Sequence, residues 1–473
     1  MKIAHFAAAA LAASLPLAGF GGPHAMGISV TAIVGATVIH PERDAATAAV
    51  PETVIVAGDR IVAVGPASST PVPRGAKVID AKGKWLIPGL IDSHVHFFQS
   101  GNLYTRPDGA DFGKYMPYEK EVARNKARLP ATFKVWLASG VTSVVDIGGP
   151  MWNFDMRDAA RASPAAPRVA VAGPLVSSVD RVALDLGDPP IIKASTPEEA
   201  VALVRRELAR KPDYIKVWFV FTSAGELPKQ EIVVKAAGDA AHAAGVPLAV
   251  HATELATAKA AMRAGADYLV HSVEDEPIDD EFLRLAKKNH ILYCPTLFVI
   301  NGYQYAFSGT WKPTEAEKRL GDPQILAAMD DLRKMPGDAI PDGIRKLMAN
   351  PPHPEPGKVS LANLRRVWDE GIPVVMGTDA GNVGTLHGPG VFREMEYMTR
   401  AGLTPLEVLR SATTNGARAM RMERDIGAIA KGRYADLVIL DADPLASVDN
   451  LSHASLVMKG GKLFTPEGLM KSL

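Results

Sequence analysis

Short strand-like runs and turns alternate at the beginning of the chain, from about residue 28 to residue 87. The runs AIVGATVI, ETVIVAGDRIVAVG and AKVIDAKGKWLIP are rich in valine and isoleucine, which is typical of β-strands joined by tight turns. The same pattern returns near the other end in GAIAKGRYADLVILDADP and LVMKGGKLF. We therefore predict that residues 26–87 and 422–473 pair into one small β-sandwich domain.

The middle of the chain, residues 88–421, follows a different pattern. Apolar runs recur there, and longer segments of helical character such as TPEEAVALVRRELAR separate them. Eight such runs are present: LIPGLIDSHVHF, TSVVDIGG, RVAVAGPLV, YIKVWFV, PLAVHA, YLVHSV, LYCPTLFV and PVVMGTDAG. Eight alternating units predict an α/β fold of the (β/α)8 TIM-barrel type.

One long insertion interrupts this alternation between the seventh and eighth predicted strands. It spans residues 302–358, is rich in Pro, Met and Lys, and carries Trp311. Connections of this length usually have a function, such as a lid over a site or a contact between subunits. A passive insertion explains the composition equally well.

The first 25 residues have the features of a secretory signal peptide. Lys2 precedes an Ala/Leu-rich run, and small residues follow; the run is interrupted by Ser14 and Pro16, so a membrane anchor is the less favoured interpretation. We therefore expect a periplasmic or secreted protein that has no membrane contact after cleavage. Cys294 is the only cysteine, which excludes an intramolecular disulfide.

The balanced charge of the chain argues against some classes of binding partner. The 473 residues include 52 basic and 52 acidic side chains, and 47% of the chain is hydrophobic. A balanced charge gives no basic field for nucleic acid or an anionic membrane. A small-molecule partner is the better prediction.

Six polar residues lie on the predicted barrel strands, either at the strand ends or facing the barrel interior. They are His94 and His96 on the first strand, Lys216 on the fourth, His251 on the fifth, His271 on the sixth and Asp379 on the eighth. Active sites of this fold lie at the carboxyl ends of the strands. Each residue alone has an ordinary explanation, such as a hydrogen-bonded histidine, a salt-bridged lysine or a helix-capping aspartate. Together, without a metal, they would leave several polar groups in need of partners.

The spacing of the first pair indicates a metal site. Side chains two apart on a strand point to the same face, so His94 and His96 can offer two imidazoles to one ion while Val95 points away. Imidazole and carboxylate ligands together suit Zn²⁺ best among common metals, and Mn²⁺, Fe²⁺ and Co²⁺ bind by the same chemistry.

The motifs PGLIDSHVHF, YIKVW, VHA, LVHS and MGTDAG, in this order, resemble those of the metal-dependent amidohydrolase superfamily. AGLTPLEVLRSATTNGARAM and GAIAKGRYADLVILDADPL extend the resemblance to residues 28–464. Within the superfamily, the sequence is most similar to the imidazolonepropionase-like and prolidase-type branch that has a lysine on the fourth strand.

This resemblance implies a centre of two divalent ions, most often Zn²⁺. His94, His96 and Asp379 would hold the first ion, His251 and His271 the second, and N6-carboxylated Lys216 would join them. Two such ions lower the pKa of a bridging water enough to supply hydroxide at neutral pH. Asp379 beside it is the expected general acid and base. The expected reaction is hydrolysis of an amide bond in a small molecule, a dipeptide or an N-acyl amino acid, by a protein that forms a homo-oligomer, as the family commonly does.

Two other functions remain open. Glu254 lies three residues after His251, a spacing also found in mononuclear deaminases of the superfamily, in which the glutamate shuttles protons to a cyclic amidine. A catalytically inactive binding module is the second alternative, although every ligand position holds a competent residue.

The sequence says less about the substrate. The segment VWFVFTSAGELP after Lys216 departs from the Gly-rich stretch common in this branch. Glu274, in an acidic cluster after His271, is a candidate to attract a cationic substrate group, or else it solvates the next helix. His387 is a candidate to contact the substrate or orient Asp379, or else it is an ordinary loop histidine.

Overall fold

A computed structural model describes residues 29–352, 354–355 and 357–473. The predicted signal peptide, residues 1–25, lies outside these described residues. Within them there are seventeen β-strands: β1 Val30–Ile39, β2 Ala49–Ala57, β3 Arg60–Gly65, β4 Lys77–Asp80, β5 Trp85–Pro88, β6 Leu90–Val95, β7 Val141–Asp146, β8 Arg168–Val171, β9 Leu175–Ser177, β10 Ile191–Lys193, β11 Ile215–Trp218, β12 Leu248–His251, β13 Tyr268–Val270, β14 Leu292–Cys294, β15 Leu437–Leu440, β16 Ala454–Lys459 and β17 Lys462–Phe464.

Fifteen α-helices occupy the described part of the chain, and most of them lie between barrel strands. They are α1 Tyr118–Ala138, α2 Asn153–Ala162, α3 Pro197–Leu208, α4 Leu227–Ala243, α5 Leu255–Arg263, α6 Asp280–Lys288, α7 Val299–Phe307, α8 Glu315–Leu320, α9 Pro323–Met329, α10 Asp342–Ala349, α11 Lys358–Asp369, α12 Gly390–Arg400, α13 Pro405–Arg410, α14 Gly416–Ala419 and α15 Pro466–Lys471. Among the described residues, none of the helices is both long enough and apolar enough to cross a membrane.

Strands from the two ends of the chain are hydrogen-bonded into one eight-stranded sheet. Its order is β17-β16-β15-β5-β1-β2-β3, and β4 pairs with β1. The two ends meet where β15 pairs antiparallel with β5, with Leu437 opposite Pro88. Ile33, Val54 and Met458 belong to the buried apolar cluster of this sheet. The boundaries of the domains stay a prediction.

The parallel strands of the middle region close into a ring. One sheet has the order β6-β7-β8, and another has the order β10-β9-β11-β12-β13-β14. Parallel bridges join Ala172 to Tyr214, Tyr293 to Val374, and Val95 to Ala380. Segment 374–380 is therefore the eighth strand position of the ring, beside β6. Strands β8 and β9 together form the third position. The α/β barrel fold is confirmed.

The inner strands are buried on both faces. All six residues of β6 and all six of β7 are buried, as expected for parallel strands that are covered by helices on one side and fill the barrel on the other. Asp92, Ser93 and His94 are fully buried in β6. Polar residues there need hydrogen bonds or a ligand.

The insertion of residues 302–358 is largely helical. Its helices α9 and α10 pack, with α7, against the loop that follows β6, in a cluster that includes Leu103, Phe112, Trp311 and Leu332. Trp311 Nε1 donates to the Gly384 carbonyl at 3.0 Å. The insertion is thereby attached to the loops after the first and eighth barrel strands.

Candidate metal centre

The side chains of His94 and His96 extend from the end of β6 toward the same carboxylate oxygen, Asp379 Oδ1. Their Nε2 atoms are 3.3 Å apart. Asp379 Oδ1 lies 3.3 Å from His94 Nε2 and 3.1 Å from His96 Nε2. The backbone N–H of Asp379 donates to the His94 carbonyl at 2.8 Å. The first and eighth barrel strands therefore bring three side chains to one point.

The backbone of this region is tightly constrained. Asp379 has φ of 60° and His271 has φ of 77°, a left-handed conformation that costs free energy for residues other than glycine and is concentrated at functional sites. Asp92 anchors the eighth segment by accepting from Thr378 Oγ1 at 2.6 Å. A Cβ at Gly377 would collide with Cys294 and lie 2.8 Å from His94 Cβ, so glycine permits this close approach.

Two more histidines approach from the fifth and sixth strands. The rings of His251 and His271 are 4.4 Å apart between centroids, and those of His94 and His271 are 5.0 Å apart. Thr296 Oγ1 lies 2.6 Å from His271 Nδ1 and orients that ring. His94, His271 and Asp379 offer ligand atoms that all lie within 4.8 Å of one another.

Lys216 lies on β11 beside these histidines. Its side chain is only 1% exposed and faces the same cavity as the histidines. Burial lowers the pKa of Lys216 to about 7, although Asp379 opposes this shift. A lysine in such surroundings is no longer the permanently charged group that it is at a surface.

The protonation states of the cluster suit a metal ion. His96 Nδ1 lies 2.7 Å from the Gly148 carbonyl, and because a carbonyl only accepts, Nδ1 donates this hydrogen bond and Nε2 is the nitrogen that faces Asp379. Burial lowers the pKa of His94 to about 4 and holds the pKa of His271 well below its usual value. Burial alone would raise the pKa of Asp379, but His94 and His96 hold it well below its usual value.

The neutral imidazoles of His94 and His271 and the ionised carboxylate of Asp379 therefore converge. A ring nitrogen 3.1 Å from a carboxylate oxygen, as His96 Nε2 is from Asp379, is favourable only with a proton or a cation between the two atoms. The donor set is that of Zn²⁺ and related ions, so the residues present fit a metal.

The cluster lies in a cavity of about 210 Å³. Its wall includes residues that the sequence analysis missed, namely Arg106, Trp218, Tyr303 and Asn382. Arg106 and Asn382 belong to the loops after the first and eighth strands, and Tyr303 belongs to α7. The length of the loop after β6 was the available signal, since binding residues of barrels concentrate on such loops.

The three candidates for substrate contact lie in different places. Glu274 lines the cavity and is exposed at its rim. Glu254 precedes α5, and its Oε2 accepts from Thr257 Oγ1 at 2.9 Å. His387 Nε2 lies 3.2 Å from the His96 carbonyl, and its ring stacks on Phe97. Among the described residues that line the cavity, neither Glu254 nor His387 occurs.

Comparisons with known proteins find one matching family and several similar proteins. The model of the Amidohydrolase family matches residues 85–464. An imidazolonepropionase of Brevibacillus brevis is 23% identical over 422 residues, which are 83% of this chain and 84% of that protein. The structure of a Xaa-Pro dipeptidase with bound methionine matches 92% of this chain and 100% of its own, with a TM-score of 0.67 and 22% identity. The structure of a molinate hydrolase matches 95% of this chain and 97% of its own, with a TM-score of 0.69 and 24% identity.

Proposed function

Since the chain belongs to the amidohydrolase family and is a hydrolase that acts on carbon–nitrogen bonds, we propose that it cleaves an amide bond in a small molecule, a dipeptide or an N-acyl amino acid with the help of two divalent ions. The observation that carries this proposal is the convergence of His94, His271 and Asp379, whose ligand atoms lie within 4.8 Å of one another, beside buried Lys216.

The ligands divide into two sets. His94, His96 and Asp379 would hold one ion, and His251 with His271 would hold the other. When bound, two Zn²⁺ ions lower the pKa of a water molecule and polarise a substrate carbonyl. Lys216 is best explained as a carbamate that joins the two sets, because its ammonium form would repel the cations whereas a carbamate is an anion with two oxygens.

Asp379 transfers a proton from the attacking water to the leaving nitrogen in the proposed hydrolysis. Its carboxylate is ionised because His94 and His96 hold its pKa well below the usual value. It accepts a proton as the oxygen of water bonds to the carbonyl carbon. The same proton then passes to the nitrogen as the carbon–nitrogen bond breaks, which yields an acid and an amine.

The deaminase alternative has less support. Glu254 would have to reach the reacting atoms, but its side chain accepts from Thr257 at the start of α5 and does not line the cavity within the described part of the chain. The inactive module also has little support, because every candidate ligand position holds a residue able to bind a metal. Export to the periplasm or medium and homo-oligomerisation stay predictions from the sequence.

The test combines metal content with hydrolysis. We expect about two ions per purified chain, loss of activity against a library of dipeptides and N-acyl amino acids on chelation, and recovery with Zn²⁺. His271→Ala should lower metal content, whereas His242→Ala, at a surface histidine paired with Asp267, should not. One ion per chain with release of ammonia from a cyclic amidine would overturn the proposal.

A further inference from the structure

We propose that the chain has a second ligand site, in a cavity on the outer face of the barrel wall, and that this site binds a small carboxylate with an apolar tail. The second cavity has a volume of about 310 Å³, compared with about 210 Å³ for the cavity that holds the metal ligands. The two cavities have no lining residue in common. The inference does not depend on the proposed amide hydrolysis.

Strand β11 separates the two cavities. Lys216 and Trp218 line the metal cavity, whereas Val217 and Phe219 line the second one. Successive side chains of a strand point to opposite faces, so the second cavity lies between the outer face of β11 and helix α4, which also lines it. Val176 of β9, the register partner of Val217, continues the same wall. A ligand in this cavity would not occupy the metal centre.

The buried part of the cavity wall is mostly apolar. It consists of Val176, Ala194, Val217, Phe219 and Val234, together with Ser177. The Ser177 hydroxyl already donates to the Val179 carbonyl at 2.7 Å. Water finds few hydrogen-bond partners in apolar surroundings, whereas apolar cavities of about 300 Å³ or more with a few polar groups are typical sites for small organic ligands. This wall therefore suits the apolar part of such a ligand.

The exposed rim of the cavity is positively charged. Its charged side chains are Lys193, Lys229 and Glu226, which leave an excess of one positive charge. Lys229 pairs with Glu226 at 2.9 Å, whereas Lys193 forms no ion pair with another described residue. A lysine that is free to donate above an apolar wall favours a ligand with a carboxylate at one end.

Gln230 of α4 provides a second polar partner for the carboxylate. It lines the cavity, and its Oε1 is buried without a hydrogen-bond partner among the described residues. Its Nε2 donates to Thr222 Oγ1 at 2.9 Å. Because a hydroxyl donates as well as accepts, the amide can rotate, accept from Thr222 and donate to a bound carboxylate. Binding would thereby satisfy a buried polar atom that is unpaired in the empty cavity.

The experiment measures binding of hexanoate and hexan-1-ol to the metal-loaded full chain by calorimetry. We expect about one hexanoate per chain, bound about three- to tenfold more tightly than the alcohol, since an ion pair with an exposed lysine is weak. Val234→Phe places a larger side chain in the cavity and should weaken hexanoate binding about tenfold or more. Ile232→Phe, at a 60% exposed position of the same helix, is the matched control. Lys193→Met should remove the preference for the carboxylate.

Absence of saturable hexanoate binding would overturn the inference, as would binding that Val234→Phe leaves unchanged, which would place hexanoate elsewhere, such as at the metal centre. Equal affinity for hexanoate and hexan-1-ol, or a preference that survives Lys193→Met, would overturn the assignment of a carboxylate. Far-UV circular dichroism checks that each variant is folded. If Val234→Phe does not fold, Lys193→Met decides the outcome, because Lys193 is exposed and its replacement leaves the core intact.

Discussion

Asn382 Nδ2 donates a hydrogen bond to Asp379 Oδ1 at 2.7 Å. The orientation of this amide is determined by two donors on its other side, since Tyr303 Oη and Arg106 Nη1 both donate to Asn382 Oδ1, at 2.6 Å and 3.1 Å. The oxygen must therefore face these donors and the nitrogen must face Asp379. Loops after the first and eighth strands and helix α7 jointly orient the carboxylate.

Replacing Asn382 should impair catalysis without unfolding the protein. We expect Asn382→Leu to reduce kcat about 10- to 100-fold, as loss of a hydrogen bond to a metal ligand usually does. Metal affinity should fall with it, which a chelator competition would measure. Asn350→Leu, at an exposed position after α10, is the matched control. An unchanged kcat in Asn382→Leu would mean that Asp379 is oriented without this amide.

Proton transfer should depend on Asp379 and not on Glu254. We expect Asp379→Asn to lower kcat for amide hydrolysis by about 10²- to 10⁴-fold. Glu254→Gln should leave kcat within about threefold of the wild-type value, since Glu254 is engaged with Thr257 and such a substitution removes no proton carrier. Steady-state kinetics with one substrate would measure kcat for both variants. A large loss in Glu254→Gln would favour the deaminase alternative.

Lys216 should be required for full metal loading. Lys216→Met preserves an unbranched side chain in a site that is only 1% exposed, but it cannot form a carbamate. We expect metal content to fall from about two ions toward about one, with loss of activity, and acetate or formate to restore part of both by supplying a carboxylate. Lys235→Met, at a surface lysine paired with Asp239, should change neither. Full metal content in Lys216→Met would exclude a bridging role.

Stability should decrease on mild acidification because of His387. Burial lowers the pKa of His387 from 6.5 to about 4. Between these values the unfolded chain binds a proton that the folded chain does not, so the free energy of unfolding falls as the pH decreases from about 6.5 to about 4, by about 3 kcal/mol for this one group.

The His387→Phe substitution isolates this contribution. It retains a ring to stack on Phe97, which lies 5.5 Å from the His387 ring, but it removes the titrating group. We expect a flatter pH dependence over the same interval, measured by urea unfolding of chelator-treated protein. Parallel pH profiles for the two proteins would show that His387 does not titrate in this way. Loss of the donor to the His96 carbonyl should also cost about 1–3 kcal/mol at every pH.

The sequence by itself determined the barrel order and the inward-facing polar set. His94 and His96 could be placed on one face because alternation along a strand has a period of two, and this property is local. The carboxyl ends of parallel strands meet at one side of a barrel, so residues as distant in sequence as His96 and Asp379 could be expected to meet. Their Nε2 and Oδ1 atoms are 3.1 Å apart.

Only the tertiary structure decided which loop residues face the cavity. Arg106 and Asn382 lie in loops whose conformation depends on partners far along the chain, including Tyr303 of α7, and no periodic pattern encodes such contacts. The same reason explains why Glu254, by its spacing from His251, and His387, by its place after the eighth strand, were candidates, although their side chains are engaged with Thr257 and the His96 carbonyl. Strand periodicity is set by neighbouring residues, whereas the direction of a loop side chain is set by the whole fold.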